Sequence, residues 1–378
     1  MLRRSDIPHS PLRFGACREP PYNRMLPREN GRSMAMNEVW IQALRERGAH
    51  FLGNRVTGFA PTSTPEPPRE QQEVRLCPVF SDGLIGVEDA DAGDFLQGQL
   101  TNDVGAVTPA HAQPTAYCAP TGRVLATMLL WEVDATFFLL AACDLCEPVR
   151  KRLQMYVLRS RVRLSDLSEQ KALLGLAGAR ANSVLRDRLG FALSAPYESV
   201  TRNGTTAISL PGDRVLLVLD LEQAPRVWDI LARDCAPSGQ GIWDWHAVAV
   251  GMPTVTAATR DRFIPQMLNL ELVGAVNFRK GCYTGQEIVA RTEHLGEVKR
   301  RLFRFSSPAA CSPVDLVFAG AAEAGMVVNC APAPAGGFEL LAVVQMSARG
   351  GALTAGRPGD VPLDALPLPY PIPGTATV

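Results

Sequence analysis

Apolar and polar positions change period repeatedly after residue 76, and each change marks an element. Residues 84–87 read as a strand, and helical spacing over 89–100 predicts an amphipathic helix. Two β-rich runs, 124–133 and 136–142, flank Asp134-Ala135 and predict a hairpin. A basic amphipathic helix is predicted over 147–158, then a strand over 161–164. The pattern repeats loosely: strand 172–176, a helix over 179–189 stopped by Gly190, strands 206–210 and 214–219, and a helix over 224–232. Two such units predict an α+β fold with antiparallel sheets. Past Lys299 helical periodicity stops. Short β-rich runs at 315–318, 325–330 and 338–346, set among glycines and prolines, predict a small β-barrel.

The first 75 residues stand apart. Residues 1–36 carry seven arginines against three acids, with Pro8, Pro11, Pro20, Pro21 and Pro27 forbidding a continuous helix. That composition predicts a disordered or over-extended N-terminus, with Met34 or Met36 as alternative starts, rather than a helical presequence. Residues 38–44 read as a short helix, and 61–68 as a proline-rich linker. The division is therefore 1–75 extension and linker, 76–298 main region, and 299–378 barrel. A chain of 378 residues, 46% apolar, can bury a sizeable core. Its 38 cations balance 38 acids, which gives electrostatic nucleic-acid binding no support. No apolar run approaches the roughly 20 residues of a membrane span. Nine irregularly spaced cysteines argue against a disulfide scaffold and for a reducing compartment.

Reactive chemistry concentrates in one octapeptide, Lys280-Gly281-Cys282-Tyr283-Thr284-Gly285-Gln286-Glu287. Thr284 and Glu287 have capping-box spacing, and Glu287 and Arg291 stand at i,i+4. Cys282 is thereby placed just outside a helix N-terminus, which favours an anion by about 0.3–1 kcal/mol. That is less than one pKa unit, worth about 1.4 kcal/mol, so activating the thiol would require Lys280 and Arg279. The alternative is that Cys282 is a small buried hydrophobe. Gly281 and Gly285 predict unusual backbone angles or close approach.

The octapeptide and the upstream Phe263-Ile264-Pro265-Gln266, Asn269-Leu270-Glu271, Gly274 and Phe278 resemble the signature of YgfZ-type folate-binding proteins, relatives of the glycine-cleavage T-protein (aminomethyltransferase). The resemblance extends through residues 95–104, 156–160 and 368–372, and covers roughly 76–375. It implies a T-protein-like folate-binding fold of ferredoxin-like antiparallel units plus the C-terminal barrel. It implies a tetrahydrofolate cofactor, and iron–sulfur enzymes, including tRNA-modifying ones, or their assembly factors as partners. By family position the folate contacts are Gln99, Thr101, Asn102, Arg123, Trp243, Gln266, Asn269, Tyr283, Gln286, Glu287 and Arg291, with Lys280 and Cys282 as working groups. Core packing is the alternative for Trp243, and capping for Asn102 and Asp103. The expectation is a cytoplasmic monomer, the mitochondrial matrix being the alternative, without membrane or direct nucleic-acid contact.

Two departures qualify the resemblance. T-proteins carry an aspartate pair, one of them catalytic, where this chain has Ala126-Thr127. Without a carboxylate to steer proton transfer, the glycine-cleavage reaction is rejected. Many relatives have a glutamate where this chain has Ala249. The functional alternatives are an accessory protein for iron–sulfur enzymes and a folate-dependent one-carbon transferase. Among smaller features, Cys143 and Cys146 have metal or redox spacing without a second pair, and read as structural. The 175–178 glycine loop lacks a full dinucleotide fingerprint, and the histidines show no metal-ligand spacing. Lys299, Arg300, Arg301 and Arg304 read as a solvated hinge able to touch a folate's glutamate tail.

Overall fold

The computed structural model describes residues 38–60, 74–295 and 297–374. In chain order the elements begin with α1 (Glu38–Glu46), β1 (Ala49–Leu52), β2 (Arg55–Phe59), β3 (Arg75–Pro78), β4 (Asp82–Glu88) and α2 (Ala92–Gln97). Then come β5 (Gln113–Cys118), β6 (Val124–Val133), β7 (Thr136–Ala142), α3 (Cys143–Gln154), β8 (Arg163–Asp166), β9 (Lys171–Ala177) and α4 (Ala181–Leu189). Next are β10 (Ser199–Arg202), β11 (Thr205–Leu210), β12 (Arg214–Asp220), α5 (Ala224–Leu231), β13 (Ala236–Pro237), α6 (Gln240–Ala249) and α7 (Gln286–Leu295). The last six are β14 (Arg300–Ser307), β15 (Leu316–Ala319), β16 (Ala322–Pro332), β17 (Phe338–Gln345), β18 (Leu353–Ala355) and β19 (Val361–Leu366).

Two sheets lie face to face. One has the order β10-β11-β12-β9-β3-β13, the other β5-β6-β7-β4-β8. Among the described residues only the β3–β13 pair is parallel. Period-2 alternation builds the layers, because successive side chains of a strand point to opposite faces. In β12, Leu216 and Val218 enter the core between the sheets with Leu129, Trp131 and Trp243, while Val215, Leu217 and Leu219 face α1, α4 and α5. Strands buried on both faces read as continuous apolar runs, which is why the sequence marks them so clearly. The barrel closes in the order β14-β17-β16-β15-β18-β19. Leu302, Val328, Leu341 and Val343 join it to the core that holds α2, α3 and α7.

The α+β class, the antiparallel sheets and the C-terminal barrel stand as expected. The 124–133/136–142 hairpin is reproduced, its turn carrying φ +50° at Asp134 and +61° at Ala135. Several boundaries differ. The helix predicted over 89–100 is six residues long, because the chain turns at Gly98 and Leu100 bridges to Tyr117. The helix predicted over 147–158 begins at Cys143, straight off β7. Pro148, a first-turn signal in sequence, sits in its interior. The N-terminal helix and the β1–β2 hairpin are folded against the first sheet's outer face, with Trp40 and Phe59 against Trp228 at ring separations of 6.0 and 5.1 Å. Residues 1–37 and the 61–68 linker lie outside the described residues. No helix among those described is long and apolar enough to cross a membrane.

Candidate functional site

The octapeptide occupies the loop entering α7, and a dense set of backbone anchors fixes that loop. Thr101 Oγ1 donates to Ala275 O at 2.7 Å and accepts from Ala116 N at 2.9 Å. Asn102 Nδ2 donates to Pro114 O and to Gly274 O, both at 2.8 Å. Asn277 N reaches Thr101 O at 3.0 Å, and Thr284 N reaches Gly98 O at 3.3 Å. The segment following α2 is thus stitched to residues 274–284. Lys280 completes the seam: its Nζ donates to Gln97 O at 2.8 Å, Leu100 O at 2.7 Å and Asn102 O at 2.8 Å. An ammonium has three donors, and all three are taken. Tyr283, buried, lies beneath the same ammonium at 5.3 Å from its ring centroid. Burial pulls the Lys280 ammonium down to about 8, and Asp103 partly offsets that. The three carbonyls favour the charged form.

Lys280 thus ties backbone together and has no donor left for the thiol. Two expectations fail here. Helix α7 starts at Gln286 behind Gly285, so Thr284–Glu287 is one residue out of capping-box register. No ion pair joins Glu287 to Arg291 among the described residues. Both are exposed on α7, and Gln286 is half-buried. The two glycines also differ. Gly285 has φ +84°, and a Cβ there would lie 2.3 Å from Ala119 O and 3.2 Å from Gly122 Cα. Gly281 has open space around it. Gly122, at φ +72°, faces Ile288 in return, so the β5–β6 turn and the start of α7 touch backbone to backbone.

Cys282 is exposed, the one cysteine of that class among the described residues, which removes the buried-hydrophobe alternative. Other thiols are withdrawn: burial pushes Cys77, Cys118 and Cys235 up to about 12. Cys143 and Cys146 occupy the first turn of α3, where Cys146 Sγ points at Ala142 O, 3.7 Å away. Among the described residues no group of three or more His, Cys, Asp or Glu side chains is placed to hold a metal.

The remaining predicted residues divide. Gln99 lies in the stitched segment with a buried Oε1 that has no donor. Gln266 is fully buried; its Nε2 donates to Val289 O of α7 at 2.8 Å, and its Oε1 also lacks a donor. Asn269 Nδ2 donates to Leu302 O of the barrel at 2.9 Å. Arg123 is exposed beside Gly122, with Nη1 on Arg262 O at 2.8 Å. Trp243 is elsewhere. It packs on Gly175 between the sheets, with the Arg214 guanidinium 5.0 Å from its ring centroid. At the position of the T-protein aspartates, Ala126 is fully buried and Thr127 Oγ1 accepts from Val255 N at 2.9 Å. The cationic cluster past residue 298 is not solvated throughout. Arg301 is buried with Glu271 and donates to Gln266 O, which fastens the barrel to the 265–271 segment, while Arg304 pairs with Glu339 inside the barrel. Sequence reasoning missed the seam of backbone carbonyls at Gln97, Leu100 and Asn102 that Lys280 holds. No spacing rule links a side chain to carbonyls so far upstream.

No family model matches the chain. It is 32% identical over 257 residues to the tRNA-modifying protein YgfZ of Klebsiella pneumoniae strain 342, covering 66% of this chain and 78% of that protein. The chain belongs to the YgfZ family. The YgfZ of Shigella dysenteriae serotype 1 is 31% identical over 258 residues, with the same coverage. In structure, this YgfZ-family chain resembles the glycine cleavage system aminomethyltransferase T of Bartonella henselae. The TM-score is 0.68 at 14% identity, over 86% of this chain and 94% of that one. The likeness establishes a shared fold.

Proposed function

We propose that this YgfZ-family protein is a folate-binding accessory factor that supports iron–sulfur enzymes, tRNA-modifying ones included, with Cys282 as its working group. The relatives are named tRNA-modifying proteins, and the shared fold is that of an aminomethyltransferase. Two buried carboxamide oxygens without donors, on Gln99 and Gln266, are acceptors of the kind a pterin's amino and ring N–H groups need. Tetrahydrofolate bound there would supply a one-carbon carrier, and the residues of this chain would orient it and exclude water.

The observation that carries the accessory reading, against the one-carbon transferase, is the Ala126-Thr127 position. A buried methyl stands there beside a hydroxyl already accepting a backbone N–H, so no carboxylate is present to move a proton. The exposed thiol on a rigidly held loop is then the group left to act on a partner. Lys280, in this reading, holds the loop and does not react. The protein works as a cytoplasmic monomer, without direct nucleic-acid contact.

Calorimetry with tetrahydrofolate on the wild type and Cys282→Ala tests this. Binding with Kd on the order of micromolar should survive the substitution, while the activity of iron–sulfur tRNA-modifying enzymes falls in cells carrying the variant. Absence of binding by the wild type overturns the folate reading. Turnover of a methylated or aminomethylated donor in vitro would favour the transferase.

A further inference from the structure

We infer that the turn leaving α3, residues 155–159, is a docking surface for an acidic segment of a partner protein that carries apolar side chains among its carboxylates. The inference rests on the accessory reading above and deepens it, because the partner is the client protein. The helical pattern in sequence runs through residue 158, but α3 ends at Gln154. Turns follow, with Met155 N on Arg152 O at 3.2 Å, Tyr156 N on Leu153 O at 2.9 Å and Val157 N on Gln154 O at 3.3 Å. Val157 packs inward against the core that holds α2, α3 and α7, while Met155 is 64%, Tyr156 37% and Leu158 88% exposed. Six large hydrophobic side chains stand exposed among the described residues, and these are three of them. The fold does not demand them there, since Leu145, Cys146, Val149 and Leu153 already form the buried face of α3. Single exposed apolar residues are ordinary. A contiguous group rimmed by charge marks an interaction site.

The rim is basic. Residues 150–163 hold six cations and no acid, although the whole chain is neutral, and five of the six are arginines. Arg150 and Lys151 share Glu147, Arg161 has Asp91 and Arg163 has Glu88, so three carboxylates offset half of that charge. Arg161 and Arg163 are exposed, and surface pairs of this kind give up their partners at little cost. Arg159, also exposed, has no acid partner among the described residues. Tyrosine, methionine and arginine, with little lysine, are the residues enriched in protein interfaces. An acidic segment neutralises the surplus charge, and apolar residues within it take Met155, Tyr156 and Leu158 out of water.

Two other anionic partners fit less well. A nucleic acid gains from many phosphate contacts, on the order of 6–10 in strong binders. Half the cations here are already offset, and a phosphate backbone leaves Leu158 wet. An anionic membrane takes up a helix by a broad apolar face, and that face of α3 is buried.

Biolayer interferometry on the full chain compares four probes: a synthetic amphipathic peptide of glutamate, leucine and alanine, its counterpart with lysine for glutamate, mixed tRNA, and phosphatidylglycerol vesicles. The wild type should bind the glutamate peptide and not the lysine one, with affinity falling as salt is raised. Leu158→Ser and Arg159→Glu should each weaken that binding about tenfold, equivalent to about 1.4 kcal/mol, Arg159→Glu chiefly by slowing association. Both side chains are exposed, so thermal unfolding and tetrahydrofolate affinity should not change. In cells, either variant should lower the activity of iron–sulfur tRNA-modifying enzymes. Absence of glutamate-peptide binding, or binding that neither substitution weakens, overturns the inference. So does tRNA or vesicle binding that needs Arg159 where the peptide does not bind. Cellular activity that survives both variants but is lost in Cys282→Ala overturns the docking role and leaves the accessory reading standing. Peptide binding that needs Leu158 and Arg159, in a protein that binds no folate, sustains the surface and removes the folate reading.

Discussion

Lys280 shows how a residue can sit in the right motif for a different reason. In sequence it stands two positions from a thiol and reads as the cation that activates it. In the fold its ammonium is the common donor for three carbonyls beyond α2, and Thr101 and Asn102 hold the opposite side of the same seam. Lys280→Met would leave those carbonyls without their donor. A loss of about 2–4 kcal/mol is expected, measured as a lower urea midpoint, with faster labelling of Cys282 as its loop loosens. Lys280→Arg should not restore stability, since a planar fork cannot aim at three acceptors around one nitrogen. An unchanged urea midpoint in Lys280→Met would show the tripod to be energetically idle. The motif was legible from sequence at this scale, but the partners of its atoms were not.

The unit of organisation one level up is the contact between the β5–β6 turn and the start of α7. Gly122 and Gly285 permit it from opposite sides, each with positive φ and each with a neighbour where a Cβ would stand. Gly285→Ala places a methyl against Ala119 O and imposes a left-handed conformation that L-residues resist, so a cost of about 2–4 kcal/mol is expected. Gly281→Ala meets no atom within 4 Å and needs no left-handed backbone, and should stay within about 0.5 kcal/mol. Paired melting curves decide it, and equal effects would refute the distinction. The octapeptide's glycines look alike in sequence, because what separates them is the β5–β6 turn some 160 positions upstream. For the same reason the cap register slipped by one. Thr284 and Glu287 have the right spacing, but Gly285 is the residue that tertiary contact places before the helix.

Across the whole molecule, the two sheets are joined by an apolar core with charges set into it. Asp82 of β4, Arg214 of β12 and the ion pair between Arg55 of β2 and Asp244 of α6 gather where the layers meet. Desolvation, and then Asp244, raises the Asp82 carboxyl from 3.8 to about 7. Folding therefore favours the protonated form. The stabilising contribution is present below about pH 4 and is lost as pH rises through about 7. Asp82→Asn mimics the neutral form, so at pH 8 it should be the more stable protein by about 1–3 kcal/mol, allowing for the carboxyl's partial exposure. Denaturant titrations at pH 8, 6.5 and 5 should show that gap closing as the medium becomes more acid. A gap independent of pH would place the source of the effect elsewhere.

By itself the sequence determined the elements whose residues are buried on both faces, the hairpin at Asp134-Ala135, the barrel and the family. These rest on local periodicity, turn chemistry and one dense motif, all properties of neighbouring residues. Only the tertiary structure decided that Cys282 faces solvent, that Lys280 is occupied, and that Trp243 belongs between the sheets. Each of those depends on atoms brought together across a long stretch of chain. The free energy that selects such contacts comes from burial and from hydrogen-bond satisfaction in three dimensions, and neither leaves a spacing along the sequence.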